Sequence, residues 1–276
     1  MKAAGRKLAK VFPNLVHVTC FAHGLHRVVE VVIDQYPKAK GLLSAVKGML
    51  ARSPQRKIVL KQLCNRLLPA FVPTRWTSFL EALPLYIEHY DHLKDFLKEL
   101  RKDKKSSSDI TGAEQLLYDH ETLREMHELH TRYGCFVEAI KELQRENLPL
   151  GEALEIATKL SAKLSAFDDH IGRKVYEKWS EVATKNAGLE VLHQLYSKTD
   201  PSPDLLKRLG LTTIKRENVP FYLQATTVTA DVERLFSKYN LHFSHLRQSS
   251  SVSTMNTILA VQTNSNGMFL HLFSLF

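Results

Sequence analysis

Cysteine is scarce in this chain. The 276 residues hold 3, Cys20, Cys64 and Cys135, odd in number and widely spaced. That excludes a disulfide framework and argues for reduced thiols in an intracellular compartment. No apolar run approaches the ~20 residues that a bilayer-spanning helix requires, so no membrane partner is expected. The basic start, Met1-Lys-Ala-Ala-Gly-Arg-Lys7, has no apolar core behind it and does not read as a signal peptide. Phosphate loops of the Gly-x-x-x-x-Gly-Lys-Ser/Thr and Gly-x-Gly-x-x-Gly types are missing, and so is a Gly-x-Ser-x-Gly nucleophile. His127 and His130 lie three apart, but without the His-Glu-x-x-His order of a zinc protease. Acidic residues are nearly missing from one stretch. Residues 1–70 carry 13 Lys/Arg against 2 Asp/Glu, whereas the other 206 carry 25 against 27. The excess behind the net charge of +9 therefore sits in the first quarter. Such asymmetry favours a polyanion partner, because each phosphate neutralised releases counterions; a solvated basic face is the plainer alternative.

What is present fits a globular, α-rich chain. Hydrophobic residues make up 44% and charged residues 24%, enough for a sizeable core. Leu15-Val-His-Val-Thr-Cys20 is β-branched and follows the turn signal Phe12-Pro13-Asn14, so it predicts a buried strand. From Ala22 the period changes, and Leu25, Val28, Val29, Val32 and Ile33 share a helical face that stops before Pro37. Leu42 to Leu50 predicts helix. Ser53-Pro54 opens another, to about Leu67. Ser78-Phe-Leu-Glu81 has the form of a capping box ahead of a helix from Phe79 to about Arg101, kinked or started late at Pro84. Lys102 to Thr111 is polar and Ser-rich and predicts a linker. Leu116, Leu123, Met126, Leu129, Tyr133, Phe136, Ile140 and Leu143 recur at helical spacing. Pro149 and Gly151 mark a break before shorter helices over Leu154–Phe167 and Val175–Val182. Asp168-Asp169 fits a helix N-cap. Phe221 to Leu223 predicts an extended approach to a further helix carrying Glu233, and Met255 to Thr263 a last one.

Three short patterns stand out in order: Cys20-Phe-Ala-His23; Thr74-Arg75-Trp76-Thr77-Ser78; and Val228-Thr-Ala-Asp231-Val-Glu233-Arg234-Leu-Phe236-Ser237. Together they resemble the C-terminal part of hobo/Activator/Tam3 (hAT) superfamily transposases, over roughly residues 1–100 and 215–265. The resemblance implies a mainly α chain with a few strands, a partial RNase H-like α/β unit interrupted by a large all-helical insertion. It divides the chain into a basic RNase H-like segment (1–78), the insertion (79–203) and a returning segment with dimerisation helices (204–276). It also implies roles for residues. Glu233 would be the third metal-holding carboxylate, and Cys20 and His23 would position the catalytic pocket. Trp76 would stack on a base, the plainer alternative being a core Trp, and Arg75 would contact phosphate or pair with a carboxylate such as Glu81; the basic charge of the N-terminus, apart from the resemblance, adds Lys2, Arg6, Lys7 and Lys10 to the nucleic-acid surface. Leu235, Phe236, Tyr239, Ile258 and Leu259 would belong to dimerisation.

Nucleotidyl transfer of this type uses two metal ions held by three carboxylates. Only 19 residues precede Cys20, and none is Asp or Glu. The expectation is therefore a catalytically incomplete, transposon-derived protein that is not an enzyme by itself and has no cofactor, Mg2+ belonging to an intact family member. It would act through DNA binding, homodimerisation or both, in the nucleus or elsewhere inside the cell. Two alternatives stay open: a fragment of an active transposase whose upstream part supplies the missing carboxylates, and a helical interaction scaffold with no nucleic-acid role. Zinc is not expected. Cys20, His23, His26 and His17 lack a second ligand pair at structural spacing, and Cys64 and Cys135 are isolated in sequence.

Overall fold

Proline opens several of the helices. In the computed structural model, which describes residues 2–72, 77–102, 108–198, 201–212 and 214–228, Pro37, Pro54 and Pro203 each occupy the first turn of a helix. There the missing N–H has no intrahelical partner to lose and the fixed φ already suits the helix. In chain order the helices are α1 (Lys2–Val11), α2 (Phe21–Asp34), α3 (Pro37–Ala51), α4 (Pro54–Cys64), α5 (Thr77–Glu88), α6 (Tyr90–Lys102) and α7 (Ser108–Tyr118). Then follow α8 (His120–Tyr133), α9 (Cys135–Leu143), α10 (Leu150–Ser165), α11 (His170–Thr184), α12 (Ala187–Tyr196), α13 (Pro203–Arg208) and α14 (Val219–Leu223), with a 3-10 turn at Arg216–Asn218 before α14. The chain is mainly α, and among the described residues no strand is formed.

The chain gathers into two compact units. One comprises residues 1–21, 143–155 and 187–276; the other, 22–142 and 156–186. In the second, α3 packs on α4, α7 and α8, α6 on α4 and α7, and α5 on α8. The face expected of α2 is buried, with Leu25, Val28, Val29 and Val32 fully enclosed. Met126, Leu129, Tyr133, Phe136 and Ile140 follow the same periodic pattern into the core. Polar ties far apart in sequence add to this packing. The α3 N-terminus has no side-chain cap from Tyr36, and the Glu125 carboxylate of α8 replaces it, accepting from the Lys38 and Ala39 amides at 2.8 and 2.9 Å. The Tyr36 hydroxyl donates to Glu128 at 3.0 Å. Arg132 pairs with Glu128 at 2.7 Å and also with Asp169, and lies over the Phe167 ring at 4.5 Å. Asp169 caps α11 as its sequence suggested, accepting from the Gly172 amide at 2.8 Å.

In the first unit, α12 to α14 enclose Leu195, Leu206, Leu211 and Val219, with Val16 packed against them. Leu150, Leu154 and Leu192 form an adjoining cluster that takes in Val16 and Val18. Gly188, buried in α12, lies so close to the His17 carbonyl that a Cβ there would overlap it. An apolar cleft of about 410 Å³ opens between Leu15, Val16, Val18, Ile214, Phe221 and Tyr222, and the Tyr222 hydroxyl ties it to the Asn14 carbonyl at 2.8 Å.

Several expectations are corrected. Leu15–Cys20 is not a strand, because Val16 and Val18 pack onto helices, whose backbone groups are already paired internally and cannot form a ladder. Phe221–Leu223 lies in α14, not in an extended approach. Ser78 forms no capping box with Glu81. Its hydroxyl instead donates to the Val72 carbonyl (3.2 Å) and accepts from the Val72 amide (2.8 Å), while Glu81 faces Lys141 at 3.8 Å. Pro84 sits inside α5, and the helix breaks later, at His89. Even there the i to i+4 bonds nearly continue, His89 N–H to Leu85 O and Leu93 N–H to His89 O, both 3.0 Å. α4 ends at Cys64, before Leu67, because Asn65 turns left-handed (φ 52°). α7 already begins at Ser108, within the expected linker.

Candidate nucleic-acid interface

α4 carries charge of one sign. Residues 52–66 include Arg52, Arg56, Lys57, Lys61 and Arg66 and no Asp or Glu, and α3 before them has no acidic residue either. α4 buries only Leu60 and Cys64, so the rest of it faces outward. Arg52, Lys57, Lys61 and Arg66 are exposed, and Arg56 is half-buried, donating to the Met49 carbonyl at the end of α3 (3.4 Å). Lys57 and Lys61 are one helical turn apart, where like charges repel, and phosphate would relieve that repulsion. Other helices of this unit balance their cations locally. Lys94 pairs with Asp91 and Lys98 with Asp95, both at 2.8 Å, and Lys178 and Lys185 share Glu181, whose carboxyl is held down to about 2 by those two hydrogen bonds. Lys57, Lys61 and Arg66 have no carboxylate partner among the described residues. The total charge of residues 1–70 was legible in the sequence; the acid-free run over residues 52–66 was not singled out there.

The residues named from sequence divide as follows. Lys2, Arg6, Lys7 and Lys10 lie on α1, with Lys7 and Lys10 exposed. Arg75, Trp76, Glu233, Leu235, Phe236, Tyr239, Ile258 and Leu259 lie outside the described residues. Cys20 is buried at the end of the Leu15–Cys20 segment, and His23 is exposed on the first turn of α2. The His23 ring meets His26 edge-on at 5.8 Å. Burial, and secondarily the charge of His23, holds the His26 imidazole down to about 4. Next to Cys20, the Phe21 amide donates to the Thr227 carbonyl at 2.8 Å, so the first motif and the start of the third are joined through backbone.

A further group was missed in the sequence. Cys64, His89 and His92 bring one ligand atom each within 4.8 Å of one another, the only such group of three His, Cys, Asp or Glu side chains among the described residues. Cys64 is the last residue of α4, and His89 and His92 sit three apart where α5 gives way to α6. The His89 and His92 Nδ1 atoms are 3.3 Å apart. Cys64 and His89 are buried and His92 is exposed. The Tyr86 hydroxyl has no hydrogen-bond partner, and neither has His89 Nε2. The His-x-x-His spacing was the available signal, but its partner stands 25 residues earlier, on the far side of α5. The magnesium chemistry implied by the hAT resemblance needs three oxygen-bearing groups, and no trio of carboxylates stands among the described residues, so no step is derived through it. Comparison of the chain with protein-family models and with curated proteins gives no match.

Proposed function

We propose that this chain is a transposon-derived protein of the hAT type that works by binding nucleic acid, with the outward side of α4 as its principal phosphate-contacting surface. The observation that carries the binding proposal is the run of five cations from Arg52 to Arg66 with no acid among them, three on and two flanking a helix that buries only two residues. Arg75 and Trp76 follow shortly after in the sequence, where an aromatic ring can stack on a base next to a phosphate-holding cation. The bond from Phe21 to Thr227 supports the hAT reading, because it brings the chain six residues before Glu233 to the Cys20 motif. A partial RNase H-like unit and self-association through Leu235, Phe236, Tyr239, Ile258 and Leu259 belong to the same proposal. Binding, not strand cleavage, is the activity assigned.

Electrophoretic mobility shift across a salt series tests it. Each phosphate that the protein no longer neutralises makes the slope of log K against log salt shallower by about 0.9 on duplex DNA. Replacing Lys57, Lys61 and Arg66 with Gln therefore lowers the slope by about 2 to 3 and weakens binding at low salt. Replacing Lys7 and Lys10 has the smaller effect. Binding that ignores ionic strength, or a triple variant with the wild-type slope, overturns the assignment and favours the scaffold reading.

A further inference from the structure

We propose that Cys64, His89 and His92 form a binding site for a borderline-soft divalent cation of the zinc type, clamping the end of α4 to the junction of α5 and α6. The site does not depend on the nucleic-acid reading. The donor set is one sulfur and two imidazole nitrogens, which suits zinc and disfavours magnesium or calcium, whose partners are oxygens.

The geometry matches the ion. With zinc–nitrogen bonds of about 2.0–2.1 Å, two imidazole ligands in a tetrahedron stand about 3.3 Å apart. His89 Nδ1 and His92 Nδ1 are 3.3 Å apart, longer than a good N–H···N bond and equal to that edge. A thiolate ligand at about 2.3 Å from the metal stands somewhat further from each nitrogen, within the 4.8 Å that encloses the three atoms.

Two buried polar atoms of α5 and its end lack a hydrogen-bond partner. His89 is 8% exposed and its Nε2 has no hydrogen-bond partner, although the Glu88 carboxylate lies 3.9 Å away. When Nδ1 binds a cation, Nε2 must carry the proton, and a small movement of the exposed Glu88 side chain gives that N–H the carboxylate partner typical of metal-bound histidine. The Tyr86 hydroxyl, 1% exposed and one helical turn before His89, is also without a partner. Binding replaces the Cys64 S–H bond with a sulfur–metal bond and releases the proton to solvent. Three protein ligands leave a fourth position, which opens towards the exposed His92 and takes water or a donor from outside.

Cobalt(II) titration of the purified full chain, after removal of metal with a chelator, is the test. A single equivalent is expected to bind with the intense visible bands of tetrahedral cobalt and a thiolate-to-cobalt charge-transfer band. Cys64→Ser removes the charge-transfer band. His92→Gln, on the exposed side, keeps the helix content by circular dichroism and lowers affinity by at least the ~100-fold that even an outer-shell partner can be worth. Exposed His127 and His130 on α8 serve as the control, and replacing both leaves the titration unchanged. Should Cys64→Ser not fold, His92→Gln decides alone. Weak bands without charge transfer, or His92→Gln binding as the wild type does, overturn the site and mark the metal as adventitious.

Discussion

The two units hold themselves together differently. The unit of residues 22–142 and 156–186 uses polar ties between residues distant in sequence: Glu125 on the α3 amides, and Arg132 between Glu128 and Asp169. The described part of the other has two such ties, Tyr222 to Asn14 and Phe21 to Thr227, and sets beside them apolar contact, with Val16 and Val18 laid against α12 and α14 and Gly188 letting a backbone approach closely. The difference shows two ways to place an irregular chain. A helix end can be satisfied by a carboxylate from elsewhere, whereas a segment without a ladder is held by the side chains that alternate along it.

The comparison predicts where each unit is weakest. Phe136 is fully buried and stacks near Tyr133 at 6.5 Å, so Phe136→Ala should cost about 3–5 kcal/mol in urea unfolding. A loss under about 1 kcal/mol would show that this core is loosely packed. Acid provides the next largest effect. The folded-state pKa of His26 is lowered from 6.5 to about 4, so the unfolded chain binds a proton more readily. Stability is fully present above about 6.5 and falls as pH drops towards 4, by about 2 kcal/mol once solvent screening of the partly exposed ring is allowed for. His26→Gln should flatten that slope, and an unchanged pH profile would remove His26 as its source. In the other unit, Gly188→Ala forces a methyl onto the His17 carbonyl and should destabilise by about 2 kcal/mol, where an ordinary helical Gly→Ala change would stabilise. A neutral result would mean that the Leu15–Cys20 segment shifts freely, against the apolar clamp inferred here. Smallest is Glu125→Ala, about 1 kcal/mol, the usual size of a removed helix cap. Hydrogen exchange at the Lys38 and Ala39 amides should rise with it, and unchanged exchange would show that water caps α3 equally well.

Helices were legible wherever period and punctuation agreed. The α2 face, the Pro54 start and the Asp169 cap all follow from local rules. Leu15–Cys20 misled because alternation specifies an extended chain but not the neighbour that would make it a strand. Ser78 misled because its hydroxyl found a nearer backbone partner, at Val72, than its own helix offered. Of the candidate sites, the net charge of residues 1–70 was visible, but the Cys64, His89 and His92 group was not, since helix packing alone brings its members together.

Composition and period by themselves determined an α-rich chain, a basic first quarter and the buried faces of its longer helices, because these depend only on residues a turn or two apart. Tertiary structure decided which carboxylate caps α3, that the segment before α2 lies against helices, and that a helix end meets two histidines. Those outcomes rest on contacts between residues tens of positions apart, whose distances no local pattern encodes.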